Sequence, residues 1–176
     1  EVKRLGEERW REVRDLRLEA LEREPAAFCS AYKREATMDE DGWRRRTRDT
    51  LFAVADGRPV GMIALGSEEG QSAGSVALLY GVYVRRESRG QGIGRRLVEG
   101  AIEAVCENPE VRRIELTVNA SQAATIRTYE KCGFVRAGPP EGGAGSGCCE
   151  EILMEKQIVP RGAEGRAVPP KSDAAC

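Results

Sequence analysis

The sequence predicts an α/β or α+β layer fold with at least one strand–helix–strand crossover. The first observation behind this prediction is segment 76–84 (VALLYGVYV), which is almost wholly apolar and β-prone, as a central strand buried on both faces would be. The second is segment 93–105, where apolar residues recur at helical spacing. Segment 114–118 (IELTV) is again strand-like, so a helix connects two strands.

Apolar residues at helical spacing predict three further helices, over 7–24, 38–47 and 123–132. Pro25 ends the first of these helices. Thr37 and Glu40 match a capping box ahead of the second, and Ser121 is the expected cap of the third.

Short β-prone runs predict four further strands, over 51–55, 60–65, 134–137 and 152–158. The first two flank the turn sequence Asp56-Gly57-Arg58-Pro59 and therefore predict a hairpin. The domain is expected to span residues 1–158. The tail, 159–176, is expected to be flexible because it carries Pro, Gly and charged residues without periodicity.

Composition excludes several classes of protein. The 176 residues suffice for one domain, and 28 Lys and Arg against 29 Asp and Glu argue against a non-specific nucleic-acid partner. No apolar run approaches the 18 residues of a membrane span, and the chain shows no basic-then-apolar leader. We therefore expect a cytoplasmic protein without a membrane partner.

Histidine is absent, which excludes His-dependent triads and His-ligated metal sites. Six cysteines are scattered along the chain without a CxxC pair. A zinc site requires paired ligands at short spacing, so we expect reduced cysteines and no metal.

The strongest chemical signal is the run RRESRGQGIGRR at 85–96, between a predicted buried strand and a predicted helix. Glycines at 90, 92 and 94 let the backbone approach a ligand, and a helix N-terminus offers unpaired N–H groups. Five arginines against one glutamate give a local surplus of four positive charges, which favours a polyanionic ligand. The P-loop and dinucleotide fingerprints both fail, because Arg95 and Arg96 occupy the positions that Lys, Ser or a third Gly would need. A solvated basic loop is the alternative.

This run resembles a known family. Residues 89–94 (RGQGIG) match the (Gln/Arg)-x-x-Gly-x-(Gly/Ala) signature of the GCN5-related N-acetyltransferase (GNAT) superfamily. Downstream, 117–119 (TVN) and 128–134 (TYEKCGF) resemble its second block, and 150–156 resembles its last strand. The blocks occur in order and on suitable elements, so the resemblance covers most of the predicted domain.

The resemblance implies a mixed, mostly antiparallel sheet of six to seven strands with helices on both faces. The sheet would be splayed between its fourth and fifth strands, here 75–84 and 112–118. Acetyl-CoA would enter this opening as co-substrate, with its pantetheine arm on the fourth strand and its diphosphate on the glycine loop. The implied cofactor-binding residues are Val82, Tyr83, Val84, Arg89, Gly90, Gln91, Gly92, Ile93, Gly94, Arg95 and Asn119.

The implied reaction is direct attack of a neutral amine on the thioester. Tyr129 holds the family's proton-donor position, and the amide of Val84 would stabilise the oxyanion. No residue is a clear general base: Glu115 lies on the fifth strand, and Glu35, Glu150, Glu151 or a chain of waters are alternatives. Family members that acetylate a ribosomal protein carry a Glu where Thr117 stands here. The second block also departs from the family at Gln122, Thr125 and Thr128, where Asn, Ala and Leu are usual.

The acceptor side is less defined. Residues 25–47 would form its wall, and Phe28, Tyr32 and Glu35 are the expected substrate-binding residues. The predicted function is acetyl transfer from acetyl-CoA to a primary amine of a small molecule or peptide through a ternary complex. A non-catalytic acyl-CoA-binding module is the alternative, and the sequence is compatible with a homodimer.

Overall fold

The computed structural model describes residues 1–25, 32–67, 75–138 and 150–159. Phe28 and the predicted tail from residue 160 onward lie outside these ranges, so the domain boundary at 158 stays a prediction. The helices are α1 (Trp10–Arg23), α2 (Tyr32–Ala36), α3 (Glu40–Arg48), α4 (Ile93–Cys106) and α5 (Ala123–Lys131). The strands are β1 (Val2–Arg4), β2 (Thr50–Ala55), β3 (Arg58–Ser67), β4 (Val76–Val84), β5 (Arg113–Asn119), β6 (Val135–Gly138) and β7 (Glu151–Gln157).

The strands form one seven-stranded sheet in the order β1-β2-β3-β4-β5-β7-β6. Neighbouring strands are antiparallel except for β4 and β5, which are parallel. A parallel pair requires a crossover, and α4 provides it between these two strands. The prediction of a mixed, mostly antiparallel sheet is confirmed.

The larger core lies on one face of the sheet, under α4 and α5. Leu97 and Ala101 of α4 are fully buried there with Ile114 of β5 and Met154 of β7. Leu97, Ile114 and Met154 each contribute about 2 kcal/mol by leaving water. The spacing of four residues between Leu97 and Ala101 explains why 93–106 folds as a helix on this face.

The second core lies on the opposite face, under α1. Leu16 and Ala20 are fully buried against Phe52 of β2 and Met62 of β3. Helices therefore cover both faces of the sheet, as predicted. Within the described ranges, no helix is long and apolar enough to cross a membrane.

The structure corrects both predicted helix caps. The α3 helix is capped by Asp39, whose Oδ1 accepts the N–H of Gly42 at 2.8 Å. Thr37 instead donates its hydroxyl to the carbonyl of Arg34, at the end of α2. Ser121 does not cap α5 either, because its hydroxyl donates to Asn119 in the preceding turn. In both cases a neighbouring polar group satisfies the hydroxyl locally.

Strand β4 has the predicted bounds, and β2 pairs with β3 as the predicted hairpin. The short elements β1 and α2 were not predicted, because three to five residues carry too little periodicity. The helix expected from residue 7 begins as a 3₁₀ turn over Glu7–Arg9, and α1 proper starts at Trp10.

Candidate active site

The candidate site is an opening in the sheet between β4 and β5. The two strands pair over three positions only, and the last pair is Leu78 with Glu115. Beyond that pair, 79–84 of β4 and 116–119 of β5 continue without pairing to each other. The splay predicted between strands four and five is confirmed, and it leaves backbone groups of both strands facing the gap.

The register with β3 determines which backbone groups of β4 face this gap. Gly61 lies opposite Val84, and the N–H of Arg85 donates to the carbonyl of Val60 at 2.9 Å. Val84 therefore occupies a non-hydrogen-bonded position of the ladder, where the N–H and C=O point away from β3. The N–H of Val84 is thus directed toward the gap, as an oxyanion donor would require.

A β-bulge bends β4 just before Val84. Met62 pairs with Tyr83 and Ala64 with Tyr80, so Gly81 and Val82 together face one residue of β3. Gly81 has φ +67°, a conformation that favours glycine. The bulge diverts β4 where its pairing with β5 has already ended, and Val82, an expected pantetheine contact, lies in it.

Tyr83, another predicted cofactor residue, points away from α4. Its ring is buried in the core under α1, and its hydroxyl donates to Glu19 at 3.1 Å. Burial, together with this hydrogen bond, raises the pKa of Tyr83 to about 12. Its backbone pairs with Met62, so neither its side chain nor its backbone N–H and C=O groups point toward the gap.

The glycine loop leads from β4 into α4. Gly90 and Gly92 have φ +76° and +72°, and a Cβ built on either would meet nothing within 4 Å. Gly92 is the N-cap of α4, and the first helical bond runs from the N–H of Arg96 to its carbonyl at 3.1 Å. The N–H groups of residues 93–95 therefore lack helical acceptors, which makes this end of α4 suited to an anion.

The charge around the loop differs from the sequence-based expectation. Glu19 of α1 and Glu24, the C-cap residue of α1, pair with three loop arginines: Arg85 with Glu19, and Arg86 and Arg89 with Glu24. Glu99 pairs with Arg95 within α4. When these three carboxylates and Arg23, which also pairs with Glu19, are included, the local surplus is two positive charges rather than four. No local pattern predicts the pairs of Glu19 and Glu24 with the loop, because the partners lie more than sixty residues apart.

Tyr129 of α5, the predicted proton donor, belongs to the core under α4 and α5. It is 5 % exposed, and its ring contacts Phe134 edge-on with centroids 5.9 Å apart. Burial, reinforced by the nearby Cys132, raises the pKa of its phenol well above the ordinary value. The phenol is therefore protonated at neutral pH and available as a donor.

Glu115, the predicted base candidate, lies on the face of the sheet opposite to Tyr129. Its neighbours Ile114 and Leu116 point into the core under α4, so Glu115 points to the face that α1 covers further along the sheet. Its carboxylate pairs with Arg113 at 2.6 Å, and its side chain is 13 % exposed. Thr117 lies on the same face of β5 and is exposed.

Asn119 ends β5 and builds the turn that follows. Its Oδ1 accepts the N–H and the hydroxyl of Ser121 at 2.9 and 2.7 Å. This is an Asx turn, which orients the chain into α5 and thereby the position of Tyr129. Contact of Asn119 with a cofactor stays a prediction.

Of the predicted acceptor residues, Phe28 lies outside the described ranges, and Tyr32 and Glu35 both lie on α2. Glu35 is 3 % exposed and binds Arg17 through two hydrogen bonds of 2.8 and 2.7 Å, and Arg46 through its Oε2. Burial alone would raise the pKa of Glu35, but its two arginines outweigh burial and hold that pKa below its usual range. Tyr32 is exposed at the start of α2. Because Glu35 is buried and held by two arginines, it suits a role in holding α1, α2 and α3 together better than a role as a base, whereas Glu115 pairs with Arg113 alone.

Glu150 and Glu151, the other base alternatives, lie at the start of β7, and Glu151 pairs across the ladder with Asn119. Glu150 is exposed and its carbonyl accepts the N–H of Ala120 at 2.9 Å. Among the described residues, no group of three or more His, Cys, Asp or Glu could hold a metal ion.

Solved structures of acetyltransferases share this fold. A GNAT-family acetyltransferase from Streptococcus pneumoniae has a TM-score of 0.74 at 21 % identity, covering 90 % of this chain and 98 % of that chain. The Salmonella typhimurium protein yncA, solved with its cofactor acetyl-CoA, has a TM-score of 0.73 at 18 % identity and covers 97 % and 98 % of the two chains. These similarities place the fold in the acetyltransferase class.

The sequence profile of the acetyltransferase (GNAT) family matches residues 10–134, from α1 through the glycine loop to the end of α5. This chain belongs to the GNAT acetyltransferase family. The resemblance predicted from the two motif blocks is confirmed.

Two curated relatives indicate what related proteins act on. The aminoglycoside N(6')-acetyltransferase type 1 of Klebsiella pneumoniae is 32 % identical over 95 residues, 49 % of this chain and 47 % of that protein. The L-amino acid N-acetyltransferase AaaT of Escherichia coli (strain K12) is 29 % identical over 130 residues, 70 % of this chain and 78 % of that protein. The chain thus spans about half the length of the aminoglycoside relative that it matches.

Proposed function

We propose that this protein transfers the acetyl group of acetyl-CoA to a primary amine of a small molecule or peptide, by direct attack within a ternary complex. The observation that carries the proposal is the opening between β4 and β5 past the Leu78–Glu115 pair. The N–H of Val84 is directed into this opening, and the N-terminal end of α4, whose first N–H groups lack helical acceptors, lies beyond it. The named substrates of the relatives, aminoglycosides and L-amino acids, support an amine as acceptor.

The residues around the opening suit the cofactor. Backbone groups of β4 would hold the pantetheine arm as an added strand, and the amides of 92–95 would hold the diphosphate. When bound, acetyl-CoA supplies the thioester that reacts. The N–H of Val84 would donate to the thioester oxygen, where negative charge grows during attack.

The two candidate proton-transfer groups lie on opposite faces of the sheet that contains the opening. Glu115 lies on the face that carries α1, and Tyr129 lies in the core on the face that carries α5. The amine would lose its proton, directly or through water, toward Glu115. Tyr129 would donate a proton to the departing thiolate on the other side. This separation is suitable because one group must accept a proton while the other donates one.

The test is a panel of primary amines incubated with acetyl-CoA, with release of free thiol as the readout. Because one positioned acid contributes about 10²–10⁴-fold, Tyr129→Phe should lower kcat by about 10²-fold for any amine that reacts. The affinity for CoA should remain near that of the wild type. CoA binding without thiol release from any amine would instead support the non-catalytic acyl-CoA-binding module.

A further inference from the structure

The side chain of Arg89 is held at the corner between β4 and the glycine loop. Its Nε donates to the carbonyl oxygen of Val84 at 2.9 Å, and its Nη2 donates to Glu24 of α1 at 2.9 Å. Its guanidinium carbon also lies 5.9 Å from the centroid of the Tyr83 ring. The contacts with Glu24 and Tyr83 lie on the α1 side of the sheet, whereas the carbonyl of Val84 and the free amides of α4 face the gap.

Glu19 makes a second set of contacts between α1 and the end of β4. Glu19 of α1 accepts the Tyr83 hydroxyl at 3.1 Å and pairs with Arg85 at 3.0 Å. Glu19 lies in α1 and Glu24 caps its C-terminal end, so this end of the helix contacts both the end of β4 and the start of the loop. Charge-assisted hydrogen bonds of this kind are stronger than neutral ones and hold the side chains of Tyr83, Arg85 and Arg89 in place.

We propose that Arg89 is a positioning residue that acts together with Glu24 of α1, and that its side chain is not a ligand of the cofactor's phosphates. This inference rests on the proposed function, because the positioned groups are the backbone amides that would bind acetyl-CoA. By binding the carbonyl of Val84, Arg89 fixes the peptide that leaves β4 and thereby the direction of the loop. Glu24 holds Arg89 in that place, so the loop amides, and not the Arg89 side chain, would bind the diphosphate.

The sign of one mutational effect separates this role from direct phosphate binding. If Arg89 bound phosphate, removing the competing carboxylate of Glu24 would free the guanidinium and tighten CoA binding. If Arg89 positions the loop, the same change loosens the loop and weakens CoA binding. The direction of the change with Glu24→Gln therefore distinguishes the two roles.

The experiment is calorimetric titration of coenzyme A into wild type, Glu24→Gln, Arg89→Lys, Arg89→Met and the Glu24→Gln/Arg89→Met double variant. Glu22→Gln is the matched control, because Glu22 is exposed on the same helix. Loss of the charge-assisted Arg89–Glu24 hydrogen bond, which both variants share, should raise Kd at least about fivefold in Glu24→Gln and in Arg89→Met. The double variant should be no weaker than Arg89→Met, and Glu22→Gln should match wild type. Arg89→Lys should be as weak as Arg89→Met, because an ammonium cannot make both contacts with the fork geometry of a guanidinium.

Unchanged or tighter binding by Glu24→Gln would overturn the proposal, as would near-normal binding by Arg89→Lys with additive losses in the double variant. Failure of the wild type itself to bind coenzyme A would instead count against the proposed function. Both side chains are partly exposed, so the variants should unfold near the wild-type temperature. Thermal unfolding of each variant checks this point.

Discussion

At the scale of single residues, the amide of Val84 is the group on which the proposed chemistry depends most. Its direction follows from the register of β4 with β3, since the ladder bonds are made by the neighbouring positions. The side chain of Val84 packs partly against the core and has no polar atom to contribute. The backbone alone would therefore stabilise the oxyanion.

Replacing Val84 with Pro removes this N–H while leaving the neighbouring ladder bonds of β4 in place. Because loss of one oxyanion donor costs about 10²–10³ in rate, we expect Val84→Pro to lower kcat by about that factor. Val84→Ala keeps the N–H and serves as the control, with kcat expected close to wild type. Steady-state thiol release measures both variants. Equal kcat in the two would show that this amide does not stabilise the transition state.

Glu35, predicted as a substrate-binding residue, has a structural role in the buried network with Arg17 and Arg46. Its pKa lies below the ordinary value in the folded protein, so ionised Glu35 stabilises the fold above its unfolded pKa. That contribution is lost as the pH falls through the folded pKa. The network should therefore make the protein sensitive to acid.

We expect Glu35→Gln to lower the free energy of unfolding at pH 7 by about 3 kcal/mol, because two guanidinium groups lose their buried carboxylate. Below pH 5, the free energy of unfolding of the variant should also depend less on pH than that of the wild type does. Urea unfolding from pH 7 down to about pH 3, through the range in which a carboxyl with a lowered pKa is protonated, measures both effects, with Glu103→Gln on the exposed face of α4 as control. A loss no larger than that of the control would contradict the structural role assigned to Glu35.

At the scale of elements, the glycine loop and α4 form a unit whose shape depends on positive φ at Gly92. Gly57, in the turn between β2 and β3, has nearly the same φ of +76° and equally open surroundings. A Cβ at either position costs about 1–2 kcal/mol of backbone strain. The two glycines differ in that only Gly92 caps the helix at the candidate diphosphate site.

We therefore expect Gly92→Ala and Gly57→Ala to lower the unfolding temperature by similar amounts. Only Gly92→Ala should weaken coenzyme A binding, by about tenfold if it displaces one of the anion-binding amides. Thermal unfolding and calorimetry on both variants provide the comparison. Equal affinities in the two would mean that the loop does not bind the cofactor.

The same elements show why much of the fold was predictable from sequence. The unbroken apolar run of β4 and the helical spacing of Leu97 and Ala101 are local patterns, and both elements fold as predicted. The caps at Thr37 and Ser121 were wrong because several polar residues lie within one turn of each helix start. Which hydroxyl or carboxylate reaches the first amides depends on the path of the chain, which local sequence does not determine.

At the scale of the whole molecule, the candidate site is formed where distant segments meet. The glycine loop and Tyr129 could be located from motifs, but the carboxylates of Glu19 and Glu24 could not, since their pairing with the loop needs the packing of α1 on β4. For the same reason the separation of Glu115 and Tyr129 onto opposite faces of the sheet emerges only from the assembled fold. Sequence motifs predict the candidate site, whereas the charge balance around it is visible only in the structure.

The proposed function requires that the parted strands and the end of α4 together bind an acyl-carrying thiol through its diphosphate. Calorimetry at low ionic strength with coenzyme A and with pantetheine, which lacks the diphosphate and the adenosine 3′-phosphate attached to it, tests this requirement most directly. We expect one coenzyme A per chain, bound at least about 100-fold more tightly than pantetheine, since an anion at a helix end contributes up to about 2 kcal/mol and the loop amides add to it. No binding of coenzyme A, or equal affinity for the two compounds, would contradict the proposed function.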